Sequence, residues 1–170
     1  TSLRNIQPFF ADLHMGGLSI AHNGNLTNAI TLRNDLVKNG SIFRTSSDTE
    51  TFVQLIAQSK REKILEKITE ALFKIQGGYA FVILTNKKLI GIRDPLGIRP
   101  LSIGIRKGKN RNEYVVSSET ALFSSTGFKF LRDVEPGEAV FIDNSGKIFT
   151  QQCSTSSQKR PCIFEYVYLA

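Results

Sequence analysis

The first residues of this 170-residue chain that could do chemistry are Asn23 and Gly24, within His22-Asn23-Gly24-Asn25. A side-chain amide followed at once by a glycine N–H offers two donors that can converge on one developing negative oxygen, as an oxyanion hole does. Asn-Gly is also the strongest short hairpin signal, so a type I′ turn competes with that reading, although a helical pattern rather than a strand follows. Asp48 is the second candidate. A carboxylate just inside a helix start is favoured by the helix dipole, and it is equally suited to hold a cationic group such as an α-ammonium. The run Arg93 to Leu101 contains Asp94-Pro95-Leu96-Gly97, which reads as a turn between strands. Cys153 and Cys162 are too few for a disulfide framework and point to a reducing compartment. Thr1 belongs to a residue type that acts as an N-terminal nucleophile in other proteins.

The elements that must position these groups follow from periodicity and caps. Leu18 to Ala21 reads as a short buried strand, after which Asn25 is placed to cap a helix through Ala29, Leu32, Leu36 and Val37. Ser47 and Glu50 make a Ser-x-x-Glu capping box for a second helix with Phe52, Val53 and Ile56 on one face. The strongest helical period lies over 62–75, at Ile64, Leu65, Ile68, Leu72 and Ile75, with Glu70 and Lys74 as an i,i+4 pair. Gly77-Gly78 ends that helix, and the period then changes. Tyr79 to Thr85, Lys88 to Ile92, Leu101 to Ile105 and Glu113 to Ser117 read as strands. A helical turn or two over Glu119 to Ser124 precedes a hairpin of Ala139 to Ile142 and Lys147 to Phe149, and Cys162 to Leu169 is again strand-like. Helices grouped early and mostly antiparallel strands later predict an α+β layered fold.

Composition narrows the functional classes. Hydrophobic residues make up 41% and charged residues 22%, which excludes wholesale disorder. The longest apolar run, Tyr79 to Leu84, falls far short of the ~20 residues a membrane span needs, so no membrane partner is expected. No secretory signal opens the chain, and a cytoplasmic setting is expected. The net charge of +7 invites a nucleic-acid reading. The one basic cluster, Arg106, Lys107, Lys109 and Arg111, sits in a Gly/Asn-rich stretch between two strands and reads as a solvated hairpin loop. No aromatic residues interleave with it to stack on bases, so a nucleic-acid-binding module is only the alternative reading and no nucleic acid is expected as a partner.

The combination of motifs is more specific than any one of them. SIAHNGNLTNAITLRNDL (Ser19 to Leu36), TSSDTE (Thr45 to Glu50), GGYAFVIL (Gly77 to Leu84), RDPLGIRPL and SSETALF (Ser117 to Phe123) occur in order along the chain. Together they closely resemble the glutamine amide-transfer domain of the glutamine phosphoribosylpyrophosphate amidotransferase family. SLRNIQPFFAD (Ser2 to Asp12) and PCIFEYVYLA (Pro161 to Ala170) look like the same family. Hexosamine-phosphate synthases share His-Asn-Gly but not the Asn-Leu-Thr-Asn that follows, and asparagine synthetases carry an acidic residue where Asn25 stands.

The resemblance implies an N-terminal-nucleophile hydrolase fold, a four-layer α/β/β/α sandwich of two antiparallel sheets between helical layers. It implies an enzyme that hydrolyses glutamine and passes ammonia to phosphoribosyl pyrophosphate, giving 5-phosphoribosylamine, the first committed step of purine synthesis. Asn23 and Gly24 match the family's oxyanion donors, and Asp48 matches the residue that holds the α-ammonium of glutamine. Glutamine and phosphoribosyl pyrophosphate are the implied partners, in a homo-oligomer. Magnesium is implied for the acceptor part. Some members carry an iron–sulfur cluster, with one thiolate at a position resembling Cys162. No cofactor is expected within the 170 residues themselves.

By the same resemblance, 1–150 is a partial glutaminase domain, 151–161 a polar linker and 162–170 the first strand of a phosphoribosyltransferase domain. The family's nucleophile is an N-terminal Cys that uses its own α-amino group as base, several tens of residues before His-Asn-Gly. Here 22 residues precede Asn23 and none is Cys. The Arg that grips the glutamine carboxylate, in an Arg-Tyr-x-Thr segment, would also fall before Thr1, and Thr1 itself sits in a segment resembling an internal region of the family. The expectation is an internal piece, truncated at its N-terminus and without glutaminase activity as it stands, whose uncovered apolar edges favour self-association. A catalytically dead regulatory relative is the remaining alternative.

Overall fold

The computed structural model describes residues 3–154, 160 and 162–168. After a short 3-10 turn at Leu3–Asn5 come β1 (Phe9–Leu13), β2 (Gly16–Leu26), α1 (Ala29–Lys38), α2 (Asp48–Gln58) and α3 (Ile64–Leu72). Then follow β3 (Gly77–Thr85), β4 (Lys88–Arg93), β5 (Ser102–Lys107), β6 (Asn112–Ser117), α4 (Ala121–Ser125), β7 (Lys129–Asp133), β8 (Glu138–Asp143), β9 (Ile148–Gln152) and α5 (Ile163–Tyr168). The strands form two antiparallel sheets, one of order β1-β2-β3-β4-β8-β9 and one of order β6-β5-β7.

Strand alternation assigns the layers. Phe81 and Ile83 of β3 and Ile90 and Ile92 of β4 point to one face of the large sheet, where they meet Phe52 and Ile56 of α2 and Ile68 and Leu72 of α3. The Phe52 and Phe81 rings stack at 4.5 Å and 4°. Each such fully buried side chain is worth roughly 1.5–3 kcal/mol over its exposed state. Ala80, Val82 and Leu89 point to the other face and form a second core with Leu101 and Ile103 of β5, Val116 of β6 and Val140 and Ile142 of β8. A side chain at Gly91 would begin 2.9 Å from Val116 Cγ1, so this glycine sets how closely the two sheets approach. On the outer face of the small sheet, buried Phe123 of α4 lies where a Gly104 side chain would otherwise project. The layering is α/β/β/α, with the fourth layer reduced among the described residues to α4.

Several local expectations change. Asn25 does not cap α1 but stays in β2, opposite Gly78, because β2 continues to Leu26 against Gly77. Gly77-Gly78 therefore opens a strand rather than ending a helix, and α3 is shorter than its apolar period. Asn28 precedes α1 and uses its side chain elsewhere, donating to Lys74 O at 2.9 Å and accepting from Gln76 N at 2.9 Å. Cys162 to Leu169 is not strand-like where it is described: 163–168 is the helix α5, with Ile163, Phe164 and Val167 exposed. Without a neighbouring strand among the described residues, a helix is the way this segment satisfies its own backbone. The segment 151–161 begins inside β9, and Cys153 N donates to Gly137 O at 2.8 Å, so chain pairing extends past 150. The rest of that segment at 155–159 and 161, and Thr1, lie outside the described residues. β1 and β7 are strands that local pattern did not predict.

Ser47 caps α2 as expected, its Oγ accepting from Thr49 N at 3.3 Å. The capping box closes through a relay. Glu50, 4% exposed, accepts from Arg44 N and Thr45 N at 2.8 Å and from Thr45 Oγ1 at 2.7 Å, and that hydroxyl accepts from Ser47 N at 3.1 Å. Ser47→Ala is expected to cost about 1 kcal/mol of stability. It should be read as a lower urea midpoint at unchanged slope. An unchanged midpoint would show that Asp48 and Glu50 hold this helix start unaided.

Candidate active site

Asn23 and Gly24 lie inside β2, opposite Ala80 and Tyr79 of β3, so the Asn-Gly pair is not a hairpin turn. Backbone polar groups along a strand point alternately to its two sides. Tyr79 O accepts from Asp94 N at 2.8 Å, on the side away from β2, so Ala80 presents its backbone groups to Asn23. Residues 22, 24 and 26 of β2 then direct their N–H groups away from β3. The His22 N–H donates to Gln7 Oε1 and the Leu26 N–H to Asp48 Oδ2 at 2.9 Å. The Gly24 N–H falls between these two, on an edge that β1 leaves uncovered because β1 pairs with β2 only from Gly16 to Ile20. The Asn23 side chain projects toward the second sheet, where Nδ2 donates to Ser118 Oγ at 3.3 Å, just beyond β6.

Asp48 is the first residue of α2 and ties that helix to β2. Besides the Leu26 N–H on Oδ2, Oδ1 lies 3.4 Å from His22 Nδ1. Burial pushes its carboxyl up, but the hydrogen bonds from His22 and the Leu26 N–H, with the electrostatic pull of the His22 ring, together outweigh burial and hold it below the usual carboxylate range. It is therefore an anion at neutral pH. The two oxygens of a carboxylate offer about four acceptor sites, so these contacts leave capacity for a cation.

Four neighbours of the site were not singled out from sequence. His22 is enclosed, its side chain 1% exposed, with Nδ1 3.2 Å from Thr49 Oγ1 and its ring 4.6 Å from that of Phe81. Gln7 brackets the His22 backbone, donating from Nε2 to His22 O at 3.1 Å, and so extends the ladder one step past β1. Thr49 and Ser118 complete the set. The usable signals were period-2 alternation through 20, 22 and 24 and the placement of Thr49 beside Asp48.

The remaining candidates stand apart from this cluster. Asp94, fully buried, accepts from Leu96 N, Ile98 N and Arg99 N at 3.0 Å, while the Arg93 guanidinium donates to Arg99 O, Val134 O and Gly97 O at 2.7, 2.8 and 3.0 Å. The Asp-Pro-x-Gly turn reading holds there. The basic cluster lies in the β5–β6 hairpin, and Arg106 is bound to Glu113 and sits 4.4 Å over the Phe128 ring. Burial pushes the Cys153 thiol up, the opposite of what a nucleophile needs. Cys162 is half-buried just before α5. Among the described residues no three His, Cys, Asp or Glu side chains gather as a metal site. Among them, too, no helix is long and apolar enough to cross a membrane.

Residues 1–125 match the family described as the glutamine amidotransferase domain, and the chain belongs to that family. Its relatives are more particular: the amidophosphoribosyltransferases of Rhizobium etli and Bacillus subtilis are 42% and 41% identical over 99% and 98% of this chain. The chain spans 34% of the length of each. The solved structure of glutamine phosphoribosylpyrophosphate amidotransferase from B. subtilis, complexed with ADP and GMP, matches with a TM-score of 0.92 at 40% identity, covering 99% of this chain and 36% of that one. The fold is accordingly of the N-terminal-nucleophile hydrolase type.

Proposed function

We propose that Asn23, Gly24 and Asp48 form part of a glutamine site, and that the protein carrying this chain hydrolyses glutamine and delivers the ammonia to phosphoribosyl pyrophosphate, giving 5-phosphoribosylamine in purine synthesis. The observation that carries the reading is the β2 edge itself, where the Gly24 N–H is bracketed by amides bound to Gln7 and to an ionised Asp48. In this reading a thiolate from outside these 170 residues attacks the amide carbonyl of glutamine. The C–S bond forms, the carbonyl oxygen becomes an oxyanion, and the Asn23 amide and Gly24 N–H stabilise it. The amide nitrogen takes a proton and leaves as ammonia. Water then cleaves the thioester through a second oxyanion in the same place, releasing glutamate. Asp48 holds the α-ammonium throughout. The acceptor site, the assembly into a homo-oligomer and the cytoplasmic setting belong to the same proposal. Magnesium would be held in the acceptor part, and Cys162 would supply one thiolate to any iron–sulfur cluster of the whole protein; neither takes part in the steps at the amide carbon.

Asp48→Asn tests the reading, because Asn keeps the size and an acceptor for the Leu26 N–H while removing the charge. The expected result is a glutamine KM raised at least about tenfold, which is ~1.4 kcal/mol, with a near-normal melting temperature. A lowered melting temperature with an unchanged KM would leave Asp48 as a helix-start residue only. The pH dependence has a definite sign. The folded carboxyl is held below its ordinary value, so its contribution to stability is present at neutral pH and is lost as pH falls through the folded-state value.

A further inference from the structure

His22 buries a nitrogen that nothing satisfies: among the described residues its Nε2 has no hydrogen-bond partner, and the ring packs against Phe81. A ring needed only for packing would be better served by a phenyl group, which buries no polar atom. The opposite nitrogen accounts for the imidazole. Nδ1 is 3.2 Å from Thr49 Oγ1 and 3.4 Å from Asp48 Oδ1. An ionised carboxylate only accepts, so the proton on the ring sits at Nδ1 and is shared by these two oxygens.

We infer that His22 is a positioning residue for Asp48: its Nδ1–H, together with the Leu26 N–H, fixes the carboxylate so that its remaining lone pairs face the α-ammonium of the substrate. The inference rests on the glutamine reading of the site. His22 leads directly into Asn23 and Gly24 along β2, so one side chain sets the distance between the substrate's charged end and its reacting end. Its own backbone is held independently, by both polar groups of the Gln7 side chain, and substitutions at 22 leave that brace in place.

Two substitutions separate the nitrogens in the protein carrying this chain. His22→Asn places an N–H near the Nδ1 position, whereas His22→Gln places one near the Nε2 position. His22→Gln is expected to raise the glutamine KM about tenfold with the glutaminase kcat little changed, because a ground-state grip on substrate is loosened uniformly. His22→Asn should stay within about threefold of the parent KM, a change too small to represent a lost charged contact. In an Asp48→Asn background His22→Gln should add nothing further, as expected of residues acting through one contact. A readout independent of catalysis is the Leu26 amide proton resonance, which should move in His22→Gln and Asp48→Asn and stay in His22→Asn. Equal KM values for the Asn and Gln variants would overturn the assignment, and so would a tenfold rise in His22→Asn even if His22→Gln proved too unstable to assay. If Asp48→Asn raises KM and His22→Gln does not, positioning fails while the glutamine reading stands. If neither raises it, the glutamine reading fails as well.

Discussion

Asn23→Ala in the protein carrying this chain is expected to cut glutamine-dependent turnover by roughly 10²–10³, while synthesis from free ammonia continues at its normal rate. The side-chain amide acts on an oxyanion that exists only in the tetrahedral state, so its loss falls on kcat at ~3–4 kcal/mol and leaves KM nearly unchanged. The fold should tolerate the change. Asn23 pairs with Ala80 through its backbone, and its side chain makes one part-buried bond, 3.3 Å long, to Ser118. That bond is worth about 1 kcal/mol at most. Parallel assays with glutamine and with ammonium chloride decide the matter. A parallel fall in both activities would make Asn23 a structural residue of β2.

Gly24→Ala is expected to cost this sheet heavily in stability. Gly24 has φ +141, and a Cβ there would lie 2.2 Å from Gly78 O and 2.9 Å from Tyr79 Cα, both backbone atoms of the paired strand. Backbone strain of ~1–3 kcal/mol adds to an overpacking cost of similar size, so the total should reach at least about 3 kcal/mol. Gly40 is the control. It also has a left-handed φ of +88, but nothing lies within 4 Å of its absent side chain. Gly40→Ala should therefore cost only about 1–2 kcal/mol, the strain alone. Urea denaturation of the two variants should separate them clearly. Equal midpoints would show that the β2–β3 contact at Gly24 yields freely, and with it the geometry assigned to the Gly24 N–H.

Much of the site was legible from residue types, and less from their placement. The Ser47 cap and the apolar face of Phe52, Val53 and Ile56 identified α2 because both signals are local. Asn23-Gly24 and Asp48 were legible as candidate donors and carboxylate, since the residue types alone supply a side-chain amide, an unhindered backbone N–H and an anionic oxygen pair. Their setting was not. β2 outlasts its local pattern because Gly77 and Gly78 pair with Leu26 and Asn25 from more than fifty residues away, and no window along the chain contains both. His22 escaped notice for the same reason, its partners being Asp48 and Thr49. β7 shows no alternation to read, with Phe130 and Leu131 both exposed. At 163–168 an apolar, β-prone run reads as a strand, yet strand structure needs a partner that the local sequence does not specify.

A crystal structure of the protein carrying this chain, with an electrophilic glutamine analogue bound, would decide the oxyanion and ammonium assignments together. Asn23 Nδ2 and the Gly24 N–H nitrogen should each lie ~2.7–3.1 Å from the analogue's carbonyl-derived oxygen. The α-ammonium should be in hydrogen-bonding contact with Asp48, at ~2.7–2.9 Å. An analogue whose oxygen lies away from the β2 edge, or whose ammonium is held by groups other than Asp48, would contradict both the glutamine site and the roles given to these three residues.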